Sequence, residues 1–112
     1  MNVQERYAAL VRSFPVLRDA PGVGVTLTND GWVAKPEDEG ISLADLDTYG
    51  MGQFRSRQPG SGARCAVAFV LYLWSGRHLW KAQHFDLREA WGCWDDAQRA
   101  AWQAWAADPW WP

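Results

Sequence analysis

Few side chains in this sequence are equipped for chemistry. The strongest candidates are two cysteines, Cys65 and Cys93, two histidines, His78 and His84, and the acid pair Asp95-Asp96. A thiol becomes a working nucleophile when an imidazole takes its proton, and Cys93 with His84 is one such pairing. The histidines lie six positions apart, a separation that matches neither one helical turn nor a usual metal-ligand spacing. A four-ligand site with Asp86 and Cys93 therefore depends wholly on the fold. Asp95-Asp96 has the look of a carboxylate dyad, yet N-capping and first-turn placement account for both acids. No catalytic residue, metal ligand or cofactor is assigned, and a small Cys/His enzyme stays as the third reading of function.

Two features of composition carry more. Nine of the 112 residues are tryptophan, and six of these fall in the last 22 positions. Burying one indole removes ~150–250 Å² from water, a gross ~4–6 kcal/mol, so a few elements can build a dense core. Trp110 and Trp111 are adjacent between Pro109 and Pro112, in a segment the prolines keep extended. Neighbouring side chains of an extended segment point to opposite faces, so one ring can dock while the other is offered to a partner. Pro109-Trp110-Trp111-Pro112 also spells the tetrapeptide that names the PWWP chromatin domain. The likeness covers four residues without the β-barrel that surrounds the motif in that family, and no methyl-lysine or DNA binding is carried over from it.

The second feature is charge. The net charge is −2, so no global field draws the chain to nucleic acid or membrane. Locally the picture differs. From Thr48 to Phe85 there is no Asp or Glu, while Arg55, Arg57, Arg64, Arg77 and Lys81 supply five positive charges. Glu37, Asp38, Glu39, Asp45 and Asp47 supply five negative ones just before. The two zones either face each other or leave the basic one open to an anionic partner. The loop containing Gly60, Ser61, Gly62 and Arg64 leads into a helix N-terminus, a weak candidate anion site. It has neither the P-loop nor the dinucleotide spacing.

The positioning elements are mainly helical. Asn2 and Glu5 suit a capping pair, with Val3, Tyr7, Leu10, Val11 and Phe14 on one stripe up to Pro15. β-Branched residues around Asn29-Asp30-Gly31 predict a hairpin over about 23–34. Ser42 with Asp45 opens a short helix that ends near Gly50. The glycine- and proline-containing stretch over 50–62 reads as a loop. The apolar run Ala63 to Ser75, capped by Ser61 and stopped by Gly76, predicts a central buried helix. The stretch 77–85 fits either loop or strand. Asp86 with Glu89 starts another helix that Gly92 ends, and Asp95 with Gln98 starts a last one through about Ala107. Ala97, Ala101, Ala104 and Trp105 would line one face of it. Trp91/Trp94 and Trp102/Trp105 are each three apart and pair if the helix runs through them.

The expectation is one α+β domain over 1–112, mainly α, with four to five helices around the 63–75 helix and one hairpin. The cysteines are expected as two buried thiols rather than a disulfide framework. The start of the chain lacks signal-peptide character and the longest apolar run is too short to span a bilayer, which makes the cytoplasm the default location and a membrane partner unexpected. The leading reading of function is a non-enzymatic protein-interaction module, of the inhibitor or accessory-subunit kind. Its partner-binding residues would be Arg55, Arg57, Arg64, Arg77, Lys81, Trp110 and Trp111. The second reading is nucleic-acid or nucleotide binding by the same arginines with tryptophan stacking. A second copy of the chain is a further candidate partner, since an apolar terminal segment can dock on it.

Overall fold

The computed structural model describes residues 2–54, 57–77 and 79–112. Arg55 and His78, both considered above, lie outside the described residues. The order of elements is α1 (Val3–Ser13), β1 (Val25–Thr28), β2 (Gly31–Ala34), α2 (Leu43–Gly50), α3 (Ser61–Ser75), α4 (Leu87–Cys93) and α5 (Asp96–Ala107), with 3₁₀ turns at Pro15–Leu17 and Glu37–Glu39. This is the expected mainly helical α+β arrangement.

Capping chemistry sets most helix starts. The Asn2, Ser42, Asp86 and Asp95 side chains accept from the backbone N–H of Glu5, Asp45, Glu89 and Gln98, at 2.8, 3.4, 2.9 and 3.1 Å respectively. Each bond satisfies one donor that the first helical turn leaves open. Two boundaries differ from the sequence reading. α3 starts at Ser61 with Gly60 as its N-cap and without a side-chain cap, so Ser61 is not the cap. α4 passes through Gly92 and ends at Cys93, where the Trp94 N–H closes on the Ala90 carbonyl at 2.8 Å. The expected glycine stop is absent because Gly92 needs no left-handed backbone there, whereas Gly76 after α3 does, at φ +70°.

α3 is the axis of the fold. Ala63, Cys65 to Leu71 and Leu73 are all buried, which leaves Tyr72 and Trp74 as its outward aromatic residues. Around it gather Tyr7, Val11 and Phe14 from the first helix and its end, Leu17, Leu46, Ala90 and Trp94. Phe14 lies 5.5 Å from Trp94 and 5.8 Å from Phe69 between ring centroids, and Phe69 in turn meets Phe85 and Trp105, each at 5.2 Å. Tyr7 is also buried, and its hydroxyl donates to the Val70 carbonyl. Burial holds that phenol protonated well above its usual range. Val3, the first residue of the predicted stripe, is exposed.

The hairpin pairs Val25–Ala34 through Thr28–Gly31, with Asn29-Asp30 as the turn. The Thr28 hydroxyl accepts from Asp30 N–H and donates to the Gly31 carbonyl, reinforcing that turn. Two strands alone are marginal, and Leu27 and Val33 face solvent. The hairpin is steadied by Trp32, whose ring meets Phe54 edge-on at 5.2 Å. Its entry is steadied by Gly22. That residue has φ +86° and its N–H bonds the Val25 carbonyl, while its own carbonyl accepts from Ser42 N–H. A β-carbon at Gly22 would stand 2.4 Å from the Ser42 carbonyl oxygen, so glycine is required there.

In α5 the buried positions are Gln98 and Ala101, with Trp102 and Trp105 partly covered, while Ala97 and Ala104 are exposed. The face that carries Ala97 and Ala104 is thus only partly turned inward. Indoles at 102 and 105 bury far more apolar area than alanine methyl groups, and they decide which side turns inward.

Candidate interaction surface

The end of the chain folds back onto the helices. The Asp108 N–H closes α5 on the Trp105 carbonyl, and the Trp105 Nε1–H then donates to the Trp110 carbonyl at 2.9 Å. Trp110 is half-buried against the core, and the Arg6 guanidinium covers its ring at 4.0 Å from the centroid. Such a cation–π contact holds the tail to α1. Trp111 is 58% exposed, with its ring seated edge-on against Trp105 at 5.5 Å and 83°. The two neighbouring rings differ in burial and in the residues they touch.

Trp111 and Pro112 form one wall of a cleft of about 360 Å³ whose other lining is Tyr72, Leu73, Trp74, Ser75 and Gly76. Tyr72 and Trp74 are each 37% exposed, and Trp74 is held from behind by Tyr7 at 4.9 Å between centroids. Three large rings from two distant parts of the sequence thus border one opening. Tyr72 and Trp74 were absorbed into a helix read as apolar all round. Their spacing carried no signal, since Leu71 and Leu73 share it and are both buried.

The basic residues are dispersed. Arg57 donates to the Asp19 carbonyl and lies 5.4 Å from the Trp32 ring centroid, so its guanidinium is engaged within the fold. Arg64 lies against Gly52, with Nη2 2.8 Å from where a β-carbon on that glycine would be. Arg64 and Arg77 stand beyond opposite ends of most of α3, a 15-residue helix about 22 Å long, so they do not share one patch. Arg77 and Lys81 are exposed, and Arg77 follows directly on the cleft residue Gly76. Among the described residues no ion pair joins Arg57, Arg64, Arg77 or Lys81 to the acidic zone. The zones meet differently. The buried Asp47 carboxylate accepts from the backbone N–H groups of Lys81 and Ala82, at 3.3 and 2.8 Å.

The glycine loop shows similar internal use. The Gly62 carbonyl accepts from Trp94 Nε1–H at 3.0 Å, and Gly60 and Ser61 are exposed at the start of α3. These residues enter the helix and pack it against the chain after α4. They hold no feature specific to phosphate beyond the open N–H groups of any helix start.

The cysteines are not both buried. Cys65 is 2% exposed and accepts a weak hydrogen bond from Gln83 Nε2 at 3.7 Å, whereas Cys93 is exposed. Cys93 ends α4, at the rim rather than in the core, which overturns the expectation of two core thiols. Burial first, and then the nearby Cys93 and Glu89, push the Cys65 thiol up to about 11. The neutral thiol is the form the fold favours. The stability it carries is therefore complete at neutral pH, begins to fall when the unfolded thiol ionises near pH 9.0, and is lost as pH rises through about 11. Urea melts should show wild type losing stability more steeply than Cys65→Ala across that window; parallel curves would contradict this account.

Trp91 and Trp94, read as a pair, are separated by the end of α4. Trp94 turns into the core, and Trp91 packs edge-on against Trp102 at 5.9 Å. Arg99 donates two hydrogen bonds to the Trp91 carbonyl and lies 5.4 Å from its ring centroid. Trp91 and Trp102, with Leu87, Arg88 and Gly92, line a shallow apolar groove of about 680 Å³. The Trp102 Nε1 atom beside it is buried without a hydrogen-bond partner. Among the described residues no three His, Cys, Asp or Glu side chains converge as metal ligands, and no helix is long and apolar enough to cross a membrane. Compared with protein-family models, curated proteins and solved structures, the chain matches none.

Proposed function

We propose that this protein is a non-enzymatic interaction module that captures a partner protein on the cleft between the chain end and α3. The observation that carries the reading is Trp111. A large apolar ring is 58% exposed, yet Trp105 and the hydrogen bond to the Trp110 carbonyl hold its surroundings in place. A pre-positioned aromatic residue loses little freedom on binding, which is how hot-spot residues deliver affinity. Tyr72 and Trp74 supply the facing apolar surface. Arg77, directly after the cleft residue Gly76, brings positive charge to that end of the opening. The partner that fits is a protein with an apolar anchor and acidic neighbours. We place the protein in the cytoplasm, where its two unpaired thiols would stay reduced.

Trp111→Ala and Trp74→Ala are each expected to weaken partner capture by about ten- to thirty-fold, close to 1.4–2 kcal/mol, because each removes a central anchor. Melting should change little in Trp111→Ala, since that ring is mostly in water. Leu27→Ala, on the hairpin, should capture normally. The check is quantitative affinity capture from lysate with all four proteins, alongside light scattering and oligonucleotide binding. If the same partners are retained by every variant, or if only oligonucleotides bind, the reading fails.

A further inference from the structure

We propose that Cys65 and Cys93 are a dithiol–disulfide redox site that can cross-link α3 to α4. The pair is 28 positions apart in sequence but adjacent in space. The Cys93 carbonyl oxygen is 3.3 Å from where a β-carbon on Gly62 would sit, and Gly62 is one helical turn before Cys65. Trp94 Nε1–H, one residue after Cys93, donates to the Gly62 carbonyl at 3.0 Å and pins this crossing. Cys65 follows Gly62 by one turn on the same side of α3, so the two thiols share one neighbourhood at this crossing. A disulfide needs α-carbons about 4.4–6.8 Å apart and side chains that point together, and a crossing pinned one turn from Cys65 brings the two thiols within the range of a small side-chain adjustment.

The exposures assign the order of events. Cys93 is exposed and Cys65 is 2% exposed, so a dissolved oxidant reaches only Cys93. With a small disulfide as oxidant, the Cys93 thiolate attacks one of its sulfurs. A mixed disulfide forms and one small thiolate leaves. Cys65 then gives up its proton to water and attacks the Cys93 sulfur, expelling the second small thiolate. The two cysteine sulfurs lose two electrons in all, and the small disulfide gains them to become two thiols. This site is separate from the aromatic cleft and does not depend on it.

The test uses the full chain incubated with oxidised glutathione, quenched with acid and analysed without reduction. The expected product is a monomer lighter by two hydrogens, resistant to alkylation, that yields a Cys65–Cys93-linked peptide. Its Tm should rise by roughly 10 °C, because the bridge closes a loop in the unfolded chain, and dithiothreitol should reverse the change. Cys93→Ser removes an exposed thiol, should fold normally and should show no oxidation-dependent shift. A persistent glutathione adduct on Cys93, a disulfide-linked dimer, unreacted thiols, or a bridge that lowers Tm would each overturn the proposal.

Discussion

Trp94→Ala is expected to cost about 3–5 kcal/mol and to lower Tm by on the order of 15–30 °C. The reasons accumulate at one side chain. Trp94 is 2% exposed, and its ring lies 5.5 Å from Phe14 and 6.1 Å from Phe85. Truncation opens a cavity between the end of α1, α3 and the segment before α4, where the rigid neighbours Phe14 and Phe85 cannot collapse. It also leaves the Gly62 carbonyl without its indole donor. Small domains hold only about 5–15 kcal/mol in total, so a substantial fraction of the molecules should be unfolded at physiological temperature. Denaturant titration followed by near-ultraviolet circular dichroism measures the loss. A cost below about 1 kcal/mol would mean that the indole is not part of the core. Trp111→Ala makes the contrast, since the same deletion of an indole from a mostly solvated position should leave the melt nearly unchanged.

Asp47→Ala should cost about 2–4 kcal/mol, more than an acidic surface residue would suggest. The carboxylate is buried at the inner face of α2 and accepts from two consecutive backbone N–H groups, those of Lys81 and Ala82. Bonds to a charged acceptor are the stronger kind, and removing it strands donors in the interior. Asp47→Asn should cost less, since its amide oxygen can still take the Ala82 N–H while the amide nitrogen opposes that of Lys81. Hydrogen exchange at residues 81 and 82 should accelerate in both variants, most in the alanine one. A loss under 0.5 kcal/mol with unchanged exchange would show that the segment over 77–85 is held by Trp80 and its bond to the Leu71 carbonyl instead.

That segment also explains why part of the fold was hard to read. Among the described residues between Arg77 and Phe85 there is no regular hydrogen-bond ladder; the Asp47 carboxylate from α2 takes the Lys81 and Ala82 N–H groups, and the Trp80 indole donates to the Leu71 carbonyl of α3. No periodicity within the segment can announce a partner 34 residues away. The same holds for the acidic zone. Its charges left open whether it faces the basic zone, and the contact that forms runs through the Asp47 carboxylate and backbone amides. The cleft was half legible. Trp111 was identified from its position between prolines, but Tyr72 and Trp74 came to it only because α5 delivers the chain end across the exposed side of α3.

What the sequence alone determined is local: the starts of four helices from Asn2, Ser42, Asp86 and Asp95, the hairpin turn at Asn29-Asp30, the apolar axis of α3, and the stop at Gly76. Each depends on interactions spanning a few residues, whose energetics are written in adjacent side chains. Tertiary structure decided which indole is core and which is surface, which face of α5 turns inward, and that Cys65 is buried while Cys93 is exposed. Those outcomes depend on competition among large side chains for one limited interior, and a residue's own neighbours in the chain carry no record of who wins it.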